Sequence, residues 1–280
     1  MDRKSAIILL AITAALWSIG GIFIKSISLS PLAIAGVRSA ISGAVLAIYL
    51  RKFQFKFGVA QIGAAVCFAL TVIMFVAATK LTTAANAILL QYTAPIYAAI
   101  LSGPLLGEKT KRRDWITLGV VVVGMVLFFV EEVEVRYFWG NILALLSGVS
   151  FAGIALFLRM GKDSSPFEPL LMGHILTALI GLPFLLAGHA PTSMDWVYLL
   201  ILGVVQLGIP YILYGLAIRH VSAIEATLIP VIEPILNPIW VMIFFNEIPS
   251  KFAFAGGAVV LGAVLTHSVL SARDKRPTVA

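Results

Sequence analysis

Apolar runs of about 18 to 24 residues recur along the whole chain, separated by short polar connections. At 1.5 Å of rise per residue, each is long enough to cross the ~30 Å hydrocarbon core of a bilayer as a helix. The spans read 5 to 24, 32 to 49, 57 to 79, 82 to 106, 115 to 130, 138 to 158, 170 to 187, 196 to 217, 222 to 245 and 252 to 270. Only 12% of the 280 residues are charged, against roughly 25% in a soluble domain. So little charge cannot coat a water-soluble surface of this size. The expected fold is therefore an all-α integral membrane protein of ten transmembrane helices, with no room for an extramembrane catalytic domain.

The net charge of +7 does not point to nucleic acid, because the basic residues sit in short clusters between apolar runs rather than on one face. They act as topology signals. With the N-terminus placed in the cytoplasm, lysines and arginines divide about fifteen inside to four outside, the asymmetry of the positive-inside rule. That predicts a multi-pass protein of the bacterial inner membrane with both termini cytoplasmic. Residues 6 to 24 follow Arg3 and Lys4 but are too long for the apolar core of a signal peptide, so an uncleaved first helix is expected. The single cysteine, Cys67, excludes an internal disulfide framework.

Two stretches repeat. Residues 85 to 95 read Ala-Asn-Ala-Ile-Leu-Leu-Gln-Tyr-Thr-Ala-Pro and residues 224 to 234 read Ile-Glu-Ala-Thr-Leu-Ile-Pro-Val-Ile-Glu-Pro. At an offset of about 139 residues, Pro95 meets Pro234, Asn86 meets Glu225, Lys80 meets Arg219 and Glu108 meets Glu247. At an offset near 134, Trp17 meets Phe151 and Lys25 meets Arg159. The chain thus divides into two five-helix repeats, 1–134 and 135–280. An odd number of spans per repeat turns the second upside down relative to the first. Inverted repeats let a carrier exchange inward-open and outward-open shapes of similar energy.

These residues resemble the drug/metabolite transporter superfamily, specifically its EamA-like branch of ten-helix bacterial carriers. The resemblance is carried by Trp17 and the small residues after it, Arg38, Ala-Ala-Thr-Lys-Leu-Thr-Thr-Ala from 77 to 84, and Gly107-Glu108 with Gly119 and Gly124. Glu233-Pro234 with Glu247, Gly257 and Gly262 carries it in the second half, where Asn246 replaces the small residue usual before the glutamate. The resemblance implies ten helices, a central cavity between the halves, and secondary transport, often export of amino acids or related metabolites.

Polar residues inside spans mark a candidate pathway. Glu233 lies about eleven residues into its span, roughly 16 Å deep, where an ionised acid costs roughly 2.5 to 3.5 kcal/mol and must meet a partner, water, a proton or a substrate. Pro230, Pro234 and Pro238 around it each remove a backbone donor. With Pro95 they are the hinge candidates. Glu233, Asn237 and Trp240 share one helical face, as do Asn86, Leu90, Thr93 and Tyr97. Both stripes fit cavity walls, and both equally fit a helix-packing seam. Gln206, Tyr211, Tyr214 and Trp17 could clamp a zwitterion or a cation, or simply pack. Glu225 sits one turn from a helix start, where a carboxylate also meets the positive end of the helix dipole. Arg38 could snorkel, pair with an acid such as Glu131, or hold a substrate carboxylate. His174 reads as a packing histidine. Glu108 and Glu247 read as caps of the helices that follow them. Gly119, Gly124, Gly257 and Gly262 would let two spans pack closely, or form a dimer contact.

The leading function is a secondary carrier for a small polar metabolite, an amino acid exporter first, working by alternating access. A carrier for organic cations such as quaternary amines is the alternative, and a passive channel ranks lower. No Gly-x-x-x-x-Gly-Lys-Ser/Thr stretch occurs to bind ATP, and His174, His189, His220 and His267 form no His-Glu-x-x-His motif. An enzyme, a cofactor and a metal site are not expected. Expected partners are the substrate, the lipid bilayer and protons, with the chain a monomer or a homodimer.

Overall fold

The structure, a computed structural model, describes residues 1–130, 137–236 and 250–273. The described residues are all-helical, and helix starts follow local capping chemistry. Asp2 accepts from the Ser5 amide at the start of α1 (Arg3–Trp17). Ser30 caps α3 (Pro31–Leu50), whose first residue is a proline with no amide proton to satisfy. After α4 (Val59–Leu81), Thr83 caps α5 (Ala84–Gln91). Gly107, at φ 67°, supplies the left-handed residue that ends α6 (Ala94–Leu106).

Among the described residues, eight stretches are long and apolar enough to cross a membrane: Arg3–Ser26, Pro31–Leu50, Val59–Leu81, Asn86–Leu106, Phe138–Met160, Phe167–Ala187, Ser193–Ile218 and Lys251–Leu270. The two further expected spans behave differently. The fifth is α7 (Arg112–Phe129), 18 residues with Arg112, Arg113 and Asp114 in its first turn. The ninth begins as α12 (Ala223–Leu228), tightens to a 3₁₀ segment at Ile229–Ile232 and is helical again over 233–236. Its continuation, with Asn237, Pro238, Trp240 and Glu247, lies outside the described residues, as does Glu131.

Several spans expected as single helices are broken. Between α1 and α2 (Gly20–Ser26) the helix is interrupted at Ser18 and Ile19, and between α5 and α6 at Tyr92 and Thr93. The second break falls just before Pro95, whose ring cannot continue the preceding hydrogen-bond ladder. In the equivalent position of the second half, Pro230 lies within the 3₁₀ segment and Pro234 follows it. Span eight is α10 (Ser193–Leu200), a π-helical stretch Ile201–Gly208 and α11 (Ile209–Ile218).

The halves interleave. α4 packs on α8 (Phe138–Met160), and its repeat counterpart α11 packs on α1; α4 packs on α9 (Phe167–Ala187), and the π-helical stretch packs on α3. Contacts between counterpart spans include α3 with α9, α7 with α13 (Lys251–Arg273), and α6 with α12. Hydrogen bonds mark two ends of this bundle. At one, Ser28 donates through its amide and hydroxyl to Asp195, at 3.1 and 3.0 Å. At the other, Arg3 pairs with Glu225. α1 and α2 run from the Glu225 end to the Asp195 end. α8 runs the opposite way, from Asn141, which accepts from Thr82 at 2.9 Å, to Arg159, which donates to Glu108 at 2.8 Å. Counterpart segments of the two repeats are therefore antiparallel.

The α7–α13 seam corrects one expectation. A side chain at Gly124 would meet Val260 at 2.7 Å, and one at Gly256 would meet the Phe128 amide at 2.4 Å, so Gly124 and Gly256 make the close crossing. Among the described residues Gly119 and Gly262 have open space around them, and Gly257 faces Ile235 and the Phe128 ring of α7. The expected packing of these two spans is present, with Gly124 and Gly257 at the seam and Gly119 and Gly262 off it, because helix rotation about the seam depends on the partner.

Candidate functional site

The break after Trp17 starts the site. Where α1 ends, the Trp17 carbonyl is free of the helical ladder and accepts from Gln206 Nε2 at 3.3 Å. Gln206 comes from the π-helical stretch, a form concentrated at functional positions. Gly20 makes the approach possible, since a β-carbon there would lie 2.7 Å from Gln206 Nε2. The other end of the same amide, Oε1, accepts from Arg38 Nη1 at 3.3 Å.

Arg38 is 2% exposed and lines a cavity that Glu233, 5% exposed, also lines. The arginine does not snorkel to an interface. Its Nε is buried without a hydrogen-bond partner among the described residues, as is the Trp17 indole Nε1. Glu233 accepts from the Tyr92 hydroxyl at 2.5 Å. Gln91, adjacent to Tyr92, donates to Ser147 at 2.8 Å, and Ser147 donates to the Thr71 carbonyl at 3.1 Å. This chain ties three segments around the cavity.

The apolar wall is aromatic. Trp17 stands 5.7 Å from Phe151, 5.3 Å from Tyr211 and 5.8 Å from Tyr214 between ring centroids. The cavity is small, about 40 Å³, room for two or three waters at roughly 10 to 15 Å³ each. Polar contacts also join segments at each end of the bundle. At the Asp195 end Lys25 donates to the Thr82 carbonyl at 3.0 Å and Asn86 donates to Asn141 at 3.0 Å. At the Glu225 end Arg159 donates to the Arg219 carbonyl at 3.3 Å, and the Ala223 amide donates to Glu108 at 3.4 Å. Lys25 and Arg159 are repeat counterparts, so the two ends use related parts.

Of the residues singled out from sequence, Trp17, Gln206, Tyr211 and Glu233 line this cavity, and Tyr214 packs on its rings. Asn86, Thr93, Tyr97 and Glu225 do not line it. Thr93 bonds the Leu90 carbonyl at 2.6 Å, Tyr97 packs against the core, and Glu225 closes a capping box with Ser222. The break at Tyr92 and Thr93 ends the helical register that put Asn86, Thr93 and Tyr97 on one stripe, and it turns Gln91 and Tyr92 inward instead. Those two, with Thr71 and Phe75, are cavity residues that the sequence reading did not assign, and the proline two residues past Thr93 was the available signal; Arg38, for which holding a substrate carboxylate was one of three readings, also lines the cavity. His174 is buried, bonded to Ser42 at 3.0 Å and against the Phe68 ring. Among the described residues no group of three or more His, Cys, Asp or Glu could hold a metal.

Buried ionisable groups on an aromatic-walled cavity inside a bundle of apolar spans fit a multi-pass membrane protein with an internal binding site. Residues 4–130 and 138–269 each match the EamA-like transporter family. The chain belongs to that family, within the drug/metabolite transporter type. It is 30% identical over 206 residues to an uncharacterized transporter of Archaeoglobus fulgidus, covering 73% of this chain and 74% of that one. Over 276 residues it is 25% identical to the pseudopaline exporter CntI of Pseudomonas aeruginosa, covering 95% of this chain and 96% of the relative. A solved crystal structure superposes with a TM-score of 0.83 over 98% of this chain and 100% of the other, at 18% identity, which speaks to fold alone.

Proposed function

We propose that this protein is a secondary exporter of a small metabolite carrying a carboxylate, amino acids first, working by alternating access. Ten crossings of the bacterial inner membrane, the halves inverted and the termini cytoplasmic, place the Glu225 end inside. The observation that carries the reading is Arg38 and Glu233 buried on one cavity, with polar contacts joining the segments at both ends of the bundle. The unpartnered donors of Arg38 and Trp17 suit a carboxylate, and charge-assisted bonds of this kind are the strong ones. Glu233, with the Trp17, Tyr211 and Tyr214 rings, suits an ammonium. The cavity described is too small for an amino acid, so entry requires one end to open, and the related contacts at the two ends let either do so. A named exporter among the relatives supports the outward direction.

Catalysis plays no part in this reading; coupling comes from a substrate or proton gradient, with Glu233 as the proton carrier. Counterflow in proteoliposomes loaded with candidate amino acids tests it. Stimulation of labelled uptake by internal substrate is expected, and flux that never saturates and shows no counterflow would make the protein a channel instead. The aromatic wall beside Glu233 favours one second reading, a carrier for organic cations. Such a carrier would move amines that lack a carboxylate as well as the matching amino acids, whereas the leading reading requires the carboxylate at Arg38.

A further inference from the structure

A second built pocket lies at the Glu225 end, away from the transport cavity. The connection from α3 to α4 reads Arg51-Lys52-Phe53-Gln54-Phe55-Lys56-Phe57, alternating basic and aromatic residues. It bounds a pocket of about 360 Å³ with Lys52 and Lys56 on one wall and Gln61, Ser164 and Glu168 on the other. Phe53 also lines a neighbouring groove of about 480 Å³ between α3 and α9, floored by Gly43, Ala44 and Ala47 and walled by Leu171, Leu179 and Leu182. The two spaces therefore adjoin at Phe53, with the lysines at the bundle end and apolar side chains along the span.

Dimensions and charge identify an occupant. From Leu171 to Leu182 the groove follows α9 for roughly 16 Å at 1.5 Å per residue, about one leaflet of a ~30 Å hydrocarbon core. Lys52, Lys56 and Glu168 leave one net positive charge at the pocket. We infer that this face binds a single phospholipid, its anionic phosphodiester between Lys52 and Lys56 and one acyl chain in the α3–α9 groove. A phosphatidylglycerol-type lipid, with one net negative charge, neutralises the pocket. Phe57, 72% exposed, reaches past it as an interfacial anchor. The site touches the α3–α9 contact between the halves, so its lipid bears on how they move, but the inference depends only on the chain lying in a membrane.

Native mass spectrometry of the full chain in detergent, titrated with phosphatidylglycerol or phosphatidylcholine, tests it. One phosphatidylglycerol is expected to bind at least tenfold more tightly than phosphatidylcholine. Lys52→Gln with Lys56→Gln should abolish that preference, since each basic side chain contributes about fivefold near an anionic lipid. Ala44→Phe, at an exposed groove position, should weaken both lipids while thermal unfolding stays unchanged. Equal binding of the two lipids, or a preference that survives the double lysine variant, would overturn the inference. So would an unaltered Ala44→Phe.

Discussion

Trp17 and Phe151 occupy equivalent positions in the two repeats, and their rings meet edge to face with centroids 5.7 Å apart. A contact between repeat counterparts lies where the pseudo-symmetry axis crosses the molecule, so this pair is shared by both halves as they move. Trp17→Ala removes a 6% exposed indole from the cavity wall and is expected to destabilise the protein by about 3 to 5 kcal/mol. Trp17→Phe keeps the ring contact and should cost far less. Thermal unfolding in detergent separates the two.

Glu233→Gln keeps the volume and the contact with Tyr92 while removing the ionisable group. The variant should remain folded and lose at least tenfold in transport driven by a pH gradient. Uptake by wild type and variant, each measured across pH 5 to 8, gives the check: a variant that retains the wild-type rate and pH profile removes Glu233 from coupling.

Arg38→Gln should weaken carboxylate-bearing substrates about 10- to 100-fold, the roughly 1.5 to 3 kcal/mol of a charged hydrogen bond, and spare decarboxylated amines. Isothermal titration or ligand-induced thermal shift with paired amino acid and amine compounds reads the difference. If both members of each pair lose affinity equally, Arg38 is structural.

Gly20→Ala places a methyl 2.7 Å from Gln206 Nε2 and must displace the amide that positions Arg38. Transport is expected to fall by about tenfold with little change in unfolding temperature. Shortening the amide by Gln206→Ser in the same chain should not restore the rate, because Arg38 then lacks its acceptor. Recovery in the double variant would show that the clash itself, and not the lost bond to Arg38, caused the defect.

For topology, a Cys67→Ser background with single cysteines at Lys109 and at His189 should label from opposite sides. Lys109 lies at the Glu225 end and His189, bonded to Ser28 at 3.1 Å, at the Asp195 end. An impermeant thiol reagent applied to intact cells should reach only residue 189. Labelling of both, or of residue 109 alone, contradicts the assigned orientation.

Membrane residence, helical class and the two-repeat plan were legible in the sequence, because each follows from runs of apolar residues and from spacing along one chain. Glu233, Gln206 and Tyr211 could be picked out for the same reason: a polar group inside an apolar span is costly wherever the helix turns. Which way a span turns, and where it breaks, was decided by neighbours distant in sequence. Arg38 reaches the cavity through Gln206, 168 residues on, and Tyr92 turns to Glu233 across 141 residues. Helical periodicity assigns a face but not the helix that faces it, so only packing of the interleaved halves could bring an arginine, a glutamate and an indole into one small cavity.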